Sequence, residues 1–147
     1  MAWFVRQGNE TRISVDAEPG PTMSFVTEPM FTSAAHLVYA GGSPEKGTVY
    51  VDHREGPWAE AVLFPISPPA STALDLNASR DPFRVSPDGT HVAWGGVFLD
   101  GACPVLDDRV GPRYDQVLSW SFGPDGVATW WVQRGQVLYR VRTSPVT

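Results

Sequence analysis

Asp88, Asp107, Asp108 and Asp115 crowd together in one stretch of the chain, Phe83 to Val117, which also holds His91 and Arg109. Carboxylates beside a histidine can move protons, and a second histidine can bring a metal into play. His36 and His91 occupy matching places ahead of similar apolar runs, so a shared metal is the sharper reading of the pair. Their spacing fits no short ligand motif, and the expectation is no metal. Cys103 is the sole cysteine, which excludes an intramolecular disulfide and a cysteine-based zinc site. No Gly-x-Ser-x-Gly elbow and no phosphate-cradling glycine loop occurs. No cofactor is expected, and no catalytic residue is assigned.

Repetition gives the carboxylates a plainer reading. Asp107-Asp108-Arg109-Val110-Gly111-Pro112 matches Asp52-His53-Arg54-Glu55-Gly56-Pro57 and, more weakly, Asp16-Ala17-Glu18-Pro19-Gly20-Pro21. Each copy follows an apolar alternation and is followed, five residues after its proline, by Val26, Val62 or Val117. Ser86-Pro87-Asp88-Gly89 before His91-Val92-Ala93-Trp94 matches Gly123-Pro124-Asp125-Gly126 before Val127-Ala128-Thr129-Trp130. Thr32-Ser33-Ala34-Ala35 is a degenerate copy. In Pro-Asp-Gly the proline fixes φ, the aspartate bonds its own backbone and the glycine supplies positive φ, so a tight hairpin turn is predicted.

The markers define a four-strand unit. Strand a ends at the Pro-Asp-Gly turn, strand b ends in an aromatic, strand c carries the alternation, and strand d follows the Gly-Pro. Taken at Val15, Val51, Leu106 and Val141, the period puts an insertion, Leu63 to Arg80, in the third unit. Units fall at about 1–22, 23–58, 59–113 and 114–142 of one domain, with fourteen strands grouped three, four, four and three. The first unit lacks strand a and the last lacks strand d.

Composition agrees with an all-β chain: 147 residues carry 14 Gly, 14 Pro and 6 Trp, and no long Gly- and Pro-free stretch keeps a helical period. A net charge of −5 with scattered Lys and Arg gives no basic stripe, so neither a nucleic acid nor a membrane partner is expected. Without a spanning apolar run or a signal-like start, the expected compartment is cytoplasmic.

The Ser-Pro-Asp-Gly turn before a Val-Ala-aromatic strand, and Leu106-Asp107-Asp108-Arg109-Val110-Gly111-Pro112-Arg113-Tyr114-Asp115-Gln116-Val117, resemble WD40-like propeller repeats of the TolB type. Asp108 replaces the glycine common in that family. The resemblance implies a β-propeller-like array of about three and a half to four four-stranded blades. Such propellers mostly serve as binding scaffolds. Because the end units are incomplete, a homo-oligomer that completes the ring is expected.

Antiparallel connectivity sends the b–c loops and d–a connections to one end of every unit, and the insertion with them. A protein or peptide site is expected there, on Gln7, Glu45, Lys46, Asp100 and Arg134. Trp58 stands where Arg113 stands in the next unit, which makes it a candidate exposed or interface aromatic. The Asp-x-Arg pairs, Asp52 with Arg54 and Asp107 with Arg109, read as ion pairs stapling the c–d loop.

The leading expectation is a non-catalytic, self-associating scaffold. One alternative is a glycosidase-like hydrolase acting through Asp81, because Arg80-Asp81-Pro82 resembles the Arg-Asp-Pro motif of five-bladed fructan- and sucrose-cleaving glycosidases. No partner carboxylate motif accompanies it. Another alternative is a structural propeller remnant without a ligand.

Overall fold

A computed structural model describes residues 2–7, 10–15, 18–19, 23–27, 29–43, 45–63, 82–99 and 101–144, with side chains from residue 23 onward. The described chain is all-β, with sixteen strands in four antiparallel sheets that follow one another along the sequence. The first sheet holds β1 (Ala2–Gln7), β2 (Glu10–Val15) and β3 (Glu18–Pro19). The second holds β4 (Phe25–Val26), β5 (Met30–Phe31), β6 (Leu37–Ser43), β7 (Lys46–Val51) and β8 (Arg54–Glu55). The third holds β9 (Ala61–Val62), β10 (Phe83–Val85), β11 (Val92–Phe98), β12 (Gly101–Leu106) and β13 (Arg109–Val110). The fourth holds β14 (Gln116–Phe122), β15 (Ala128–Arg134) and β16 (Val137–Thr143).

Turn chemistry sets the hairpins. Gly89 and Gly126 take φ of 76° and 79°, and their N–H groups close the turns onto the Ser86 and Gly123 carbonyls. Ala35 holds the same conformation at φ 63° without the freedom of glycine. At the far end of strand c, Asp52 and His53 have φ of 51° and 64°, a two-residue turn whose twist matches the flanking strands.

The register aligns Tyr39–Tyr50 with Trp94–Val105 and Trp130–Val141. The equivalent residues of strand c are therefore Tyr50, Val105 and Val141, one step from the period read off Val51 and Leu106.

Strand d differs more. After β8, Gly56 donates to the Val49 carbonyl, and Ala59 exchanges two hydrogen bonds with Gly47 of the same sheet. One residue later Glu60 donates to the Val97 carbonyl of the third sheet, and Ala61 and Val62 pair with Val97 and Gly96. One extended segment thus closes strand c of its own sheet and then starts strand a of the next. Gly111 to Gln116 repeats it: Tyr114 pairs with Ala102, then Asp115 donates to the Gln133 carbonyl. Val26, Val62 and Val117 are accordingly strand a residues of the following sheet, not strand d. The Gly-Pro fits inside the crossing segment because the glycine donates there, Gly56 to Val49 and Gly111 to Pro104, while the next position needs no donor and so accepts a proline.

This relocates the insertion. It leaves at Leu63, bonded to the Gly95 carbonyl, and returns ahead of Phe83, paired with Trp94, so it interrupts strand a halfway along. It is not on a d–a connection. In the fourth sheet the same strand is continuous but carries a bulge between Val117 and Ser119, a place where a ladder absorbs extra residues. In the second sheet the strand is split between β4 and β5. These two breaks turn the fourteen expected strands into sixteen. Residues 64–81 lie outside the described residues.

The core sits between successive sheets. Val38, Ala40 and Val49 pack with Phe83, Val92, Trp94 and Val105; Ala93, Ala102 and Leu106 pack with Val117, Trp120, Trp130 and Val132. The indole N–H of Trp120 donates to the Pro82 carbonyl at 3.1 Å, and that of Trp130 to the Trp94 carbonyl at 3.2 Å. Strand b must be thin where the next sheet lies on it: a Cβ on Gly95 would meet the Trp120 ring at 3.0 Å.

Candidate functional site

The crossing segments carry side chains to the b–c end, where the hairpins of strands b and c turn. Trp58 follows Gly56-Pro57 just before the Ala59–Gly47 bridge. Its ring stands edge-on to Tyr50 with centroids 6.2 Å apart, and Lys46 places its ammonium 5.1 Å from the indole centroid. A cation over an aromatic face is held electrostatically, and both groups keep a solvent-facing side. Glu45, beside Lys46, donates its backbone N–H to Ser43 Oγ at 3.3 Å.

The fourth sheet repeats the pairing with different residues. The Arg134 guanidinium lies 4.8 Å from the Tyr114 centroid and donates to the Arg113 carbonyl at 2.7 Å. Asp115 accepts from the Gly135 N–H at 2.6 Å, which fixes the hairpin beneath Arg134. An open cleft of about 470 Å³ lies against Trp58 and Arg113, lined also by Glu60, Phe98, Leu99 and Cys103 among others. Leu99, at the tip of the third hairpin, is 90% exposed.

Of the residues expected at this end, Lys46 and Trp58 touch each other, and Arg134 is joined to the backbone of Arg113, which lines the same cleft as Trp58. Gln7 ends β1 opposite Glu10, and its side chain lies outside the described residues. Asp100 lies outside them as well. Leu99, Arg113 and Tyr114 were not assigned from the sequence. The equivalence of Arg113 with Trp58 was the available signal for Arg113; Leu99 offered none, since its exposure depends on how the hairpin tip projects.

The opposite end carries the histidines. His36 Nδ1 lies 2.7 Å from Asp52 Oδ2, and His91 Nδ1 lies 2.8 Å from Asp107 Oδ2. The second oxygen of each aspartate accepts the N–H of the first residue of strand b, Leu37 or Val92, at 2.9 Å. An ionised carboxylate only accepts, so Nδ1 carries the proton in both pairs. The expected Asp52–Arg54 and Asp107–Arg109 ion pairs are therefore replaced by His–Asp pairs. The left-handed turn after strand c swings each carboxylate back toward strand b, a rotation that the period-two reading of a strand does not include.

Partial burial works against the Asp52 carboxylate, but the Leu37 N–H and His36 outweigh it and hold its pKa below the ordinary value. Asp88, which accepts from the Ser86 and Thr90 hydroxyls and the Thr90 N–H, is lowered to about 2. Burial, followed by the neighbouring Tyr50, pushes the Tyr39 phenol above its usual range. Its hydroxyl lies 2.7 Å from His53 Nδ1. A cleft of about 390 Å³ opens at this end between the second and third sheets, lined by His36, Arg54, Thr90 and Asp107 among others.

No group of three or more potential metal ligands gathers among the described residues. Asp81, on which a hydrolase would depend, lies outside them. No helix of the described residues is long and apolar enough to cross a membrane. The chain matches no family model and no curated protein.

Proposed function

We propose that the chain is a non-catalytic scaffold of the β-propeller type that binds a protein or peptide at its b–c end. The observation that carries this reading is the cleft between Trp58 and Arg113, with Lys46 stacked on the indole and Leu99 raised beside it. An aromatic held from below, with apolar and cationic neighbours, has the composition of an interface anchor. The aspartates and histidines of the opposite end are engaged in holding turns, which leaves them suited to structure.

Panning a random peptide library against the chain tests the binding site. Selected peptides are expected to lose at least about tenfold in affinity for the Trp58→Ala variant, the loss of one anchor residue. Peptides that bind wild type and variant equally, or no enrichment at all, overturn the proposal.

A further inference from the structure

The second sheet carries rings where the repeat does not ask for them. The register sets Tyr39 level with Trp94 and Trp130 on strand b, and its partner Tyr50 level with Val105 and Val141 on strand c. Counted on from Tyr50, His53 stands where the other sheets have Asp108 and Ser144, and Trp58 stands where the third has Arg113. These four side chains form one continuous run. Tyr39 stacks on Tyr50 with centroids 5.0 Å apart and planes 19° from parallel, and Tyr50 meets the Trp58 ring edge-on at 6.2 Å. At the other end the His53 ring lies 5.8 Å from Tyr39, with Nδ1 2.7 Å from the phenol oxygen. The third sheet, by contrast, has a single ring pair among the described residues, Trp94 with Phe98.

The run leads from solvent to the interior: Trp58 is 37% exposed, Tyr50 4% and Tyr39 0%. A phenol gives up an electron readily only when its proton can leave with it, because the phenol radical cation is a very strong acid. Tyr39 has a base at hydrogen-bond distance, whereas the Tyr50 hydroxyl has no hydrogen-bond partner among the described residues. The direction of the Tyr39 bond follows from counting unpaired groups. His53 Nε2 is buried without a partner, and the Tyr39 hydroxyl has no acceptor but His53 among the described residues. If Nδ1 donated, both Nε2 and the hydroxyl proton would be left unpaired; if the hydroxyl donates, only Nε2 is. Tyr39 is the donor, and Nδ1 is the acceptor that stands ready for its proton.

We propose that Tyr39 is a redox-active tyrosine, oxidised through Trp58 and Tyr50 by a one-electron oxidant that reaches the surface, an oxygen-centred radical or a high-valent metal complex. The oxidant takes one electron from the Trp58 indole. The indole regains it from Tyr39 across the Tyr50 ring, while the Tyr39 phenolic proton passes to His53 Nδ1. The products are the reduced oxidant, a neutral Tyr39 phenoxyl and a His53 imidazolium, so charge and electrons balance. Tyr50, with no base for its proton, bridges the two rings and does not hold the radical. Lys46, its ammonium 5.1 Å from the indole centroid, opposes positive charge on Trp58 and favours passing it inward. Burial then keeps the Tyr39 phenoxyl from coupling with other radicals in solvent. This activity shares Trp58 with the proposed peptide cleft and does not depend on that cleft binding anything.

The test is flash photolysis of the full chain with photogenerated tris(bipyridine)ruthenium(III) as the oxidant, read by transient absorption and electron paramagnetic resonance. The chain has four tyrosines, so Tyr114→Phe combined with Tyr139→Phe leaves Tyr39 and Tyr50 as the only phenols. In that background a tyrosyl radical is expected to grow in as a tryptophan radical decays. Adding Tyr39→Phe should abolish the tyrosyl signal, and adding Trp58→Phe should slow its appearance. His53→Gln, which keeps a hydrogen-bond acceptor without a base, should also abolish it. Should Tyr39→Phe or His53→Gln fail to fold, the background chain decides by itself in D2O, where movement of the proton with the electron is expected to slow radical formation. No tyrosyl radical, a radical that survives Tyr39→Phe, a yield indifferent to His53→Gln, or an unchanged rate in D2O each overturns the proposal.

Discussion

The third and fourth sheets are built from the same sequence pattern and live in different surroundings. Trp94 and Trp130 are equivalent and both 1% exposed, because each faces the preceding sheet. One residue on, the third sheet has Gly95 against Trp120, and the fourth has Trp131 against solvent. Strand c is buried from Ala102 to Leu106 in one and exposed from Val137 to Tyr139 in the other. Repeat patterning therefore governs the inward face of each sheet, and the presence of a following neighbour governs everything else.

The largest effect should come from the inward position. Trp94→Ala removes a fully buried indole and is expected to cost about 4 kcal/mol by urea denaturation, with Trp130→Ala of similar size. Trp131→Ala, on the unpaired face, should stay within about 0.5 kcal/mol. A Trp131 effect as large as that of Trp94 would mean that the outer face is covered in solution.

The two Pro-Asp-Gly turns give the next contrast. Thr32 Oγ1 donates to the Gly89 carbonyl at 2.9 Å, and a Cβ on Gly89 would lie 2.6 Å from the Ala34 nitrogen. A Cβ on Gly126 would meet nothing within 4 Å among the described residues. Both substitutions to alanine meet left-handed backbone strain, but only one also forces two turns apart. Gly89→Ala is expected to cost about 3 kcal/mol and Gly126→Ala about 1 kcal/mol, read from denaturation midpoints. Equal costs would show that the docking of the second and third sheets at this point is worth nothing.

These turns were legible in the sequence because their chemistry is local: Pro87, Asp88 and Gly89 specify the hairpin without help from elsewhere. The strand b aromatics were legible as a repeated feature for a related reason, their recurrence after each turn. The crossing segments were not. Whether Val62 belongs to the sheet behind it or ahead of it depends on the Leu63 N–H finding the Gly95 carbonyl, a choice made between distant strands. Asp107 was singled out correctly as a turn residue and given the wrong partner, since the nearby Arg109 is closer in sequence than His91 but lies beyond a turn at φ 55°. At the b–c end the charged and aromatic types were readable, whereas the pairing of Lys46 with Trp58 and of Arg134 with Tyr114 required the register.

Acid should act on the third-sheet turn. Asp88 has a folded pKa of about 2 against an ordinary value of 3.8, so its ionised form stabilises the fold above about pH 4 and that contribution is lost as pH falls toward 2. The depressed Asp52 acts with the same sign. Asp88→Asn should therefore be less stable than wild type at pH 6, and the difference should shrink as denaturation midpoints are followed down to pH 2. A difference that is constant with pH would mean that the turn's hydroxyl contacts do not favour the charged form.

The smallest effect is a gain. Ala35 takes φ 63° at the position where the other two turns have Gly89 and Gly126, and its N–H closes the turn onto the Thr32 carbonyl at 2.9 Å. Left-handed backbone costs alanine about 1–2 kcal/mol, and glycine's extra freedom in the unfolded chain returns part of that, so Ala35→Gly should stabilise by about 0.5–1 kcal/mol. The methyl of Ala35 is exposed, so no packing is lost with it. Gly89→Ala and Ala35→Gly are thus opposite substitutions at equivalent positions of two docked turns, and a thermal melt of each should move in opposite directions. If Ala35→Gly lowers the melting temperature, the second-sheet turn draws its stability from the rigidity of Ala35, and the degenerate copy has departed from the Pro-Asp-Gly pattern for a structural reason of its own.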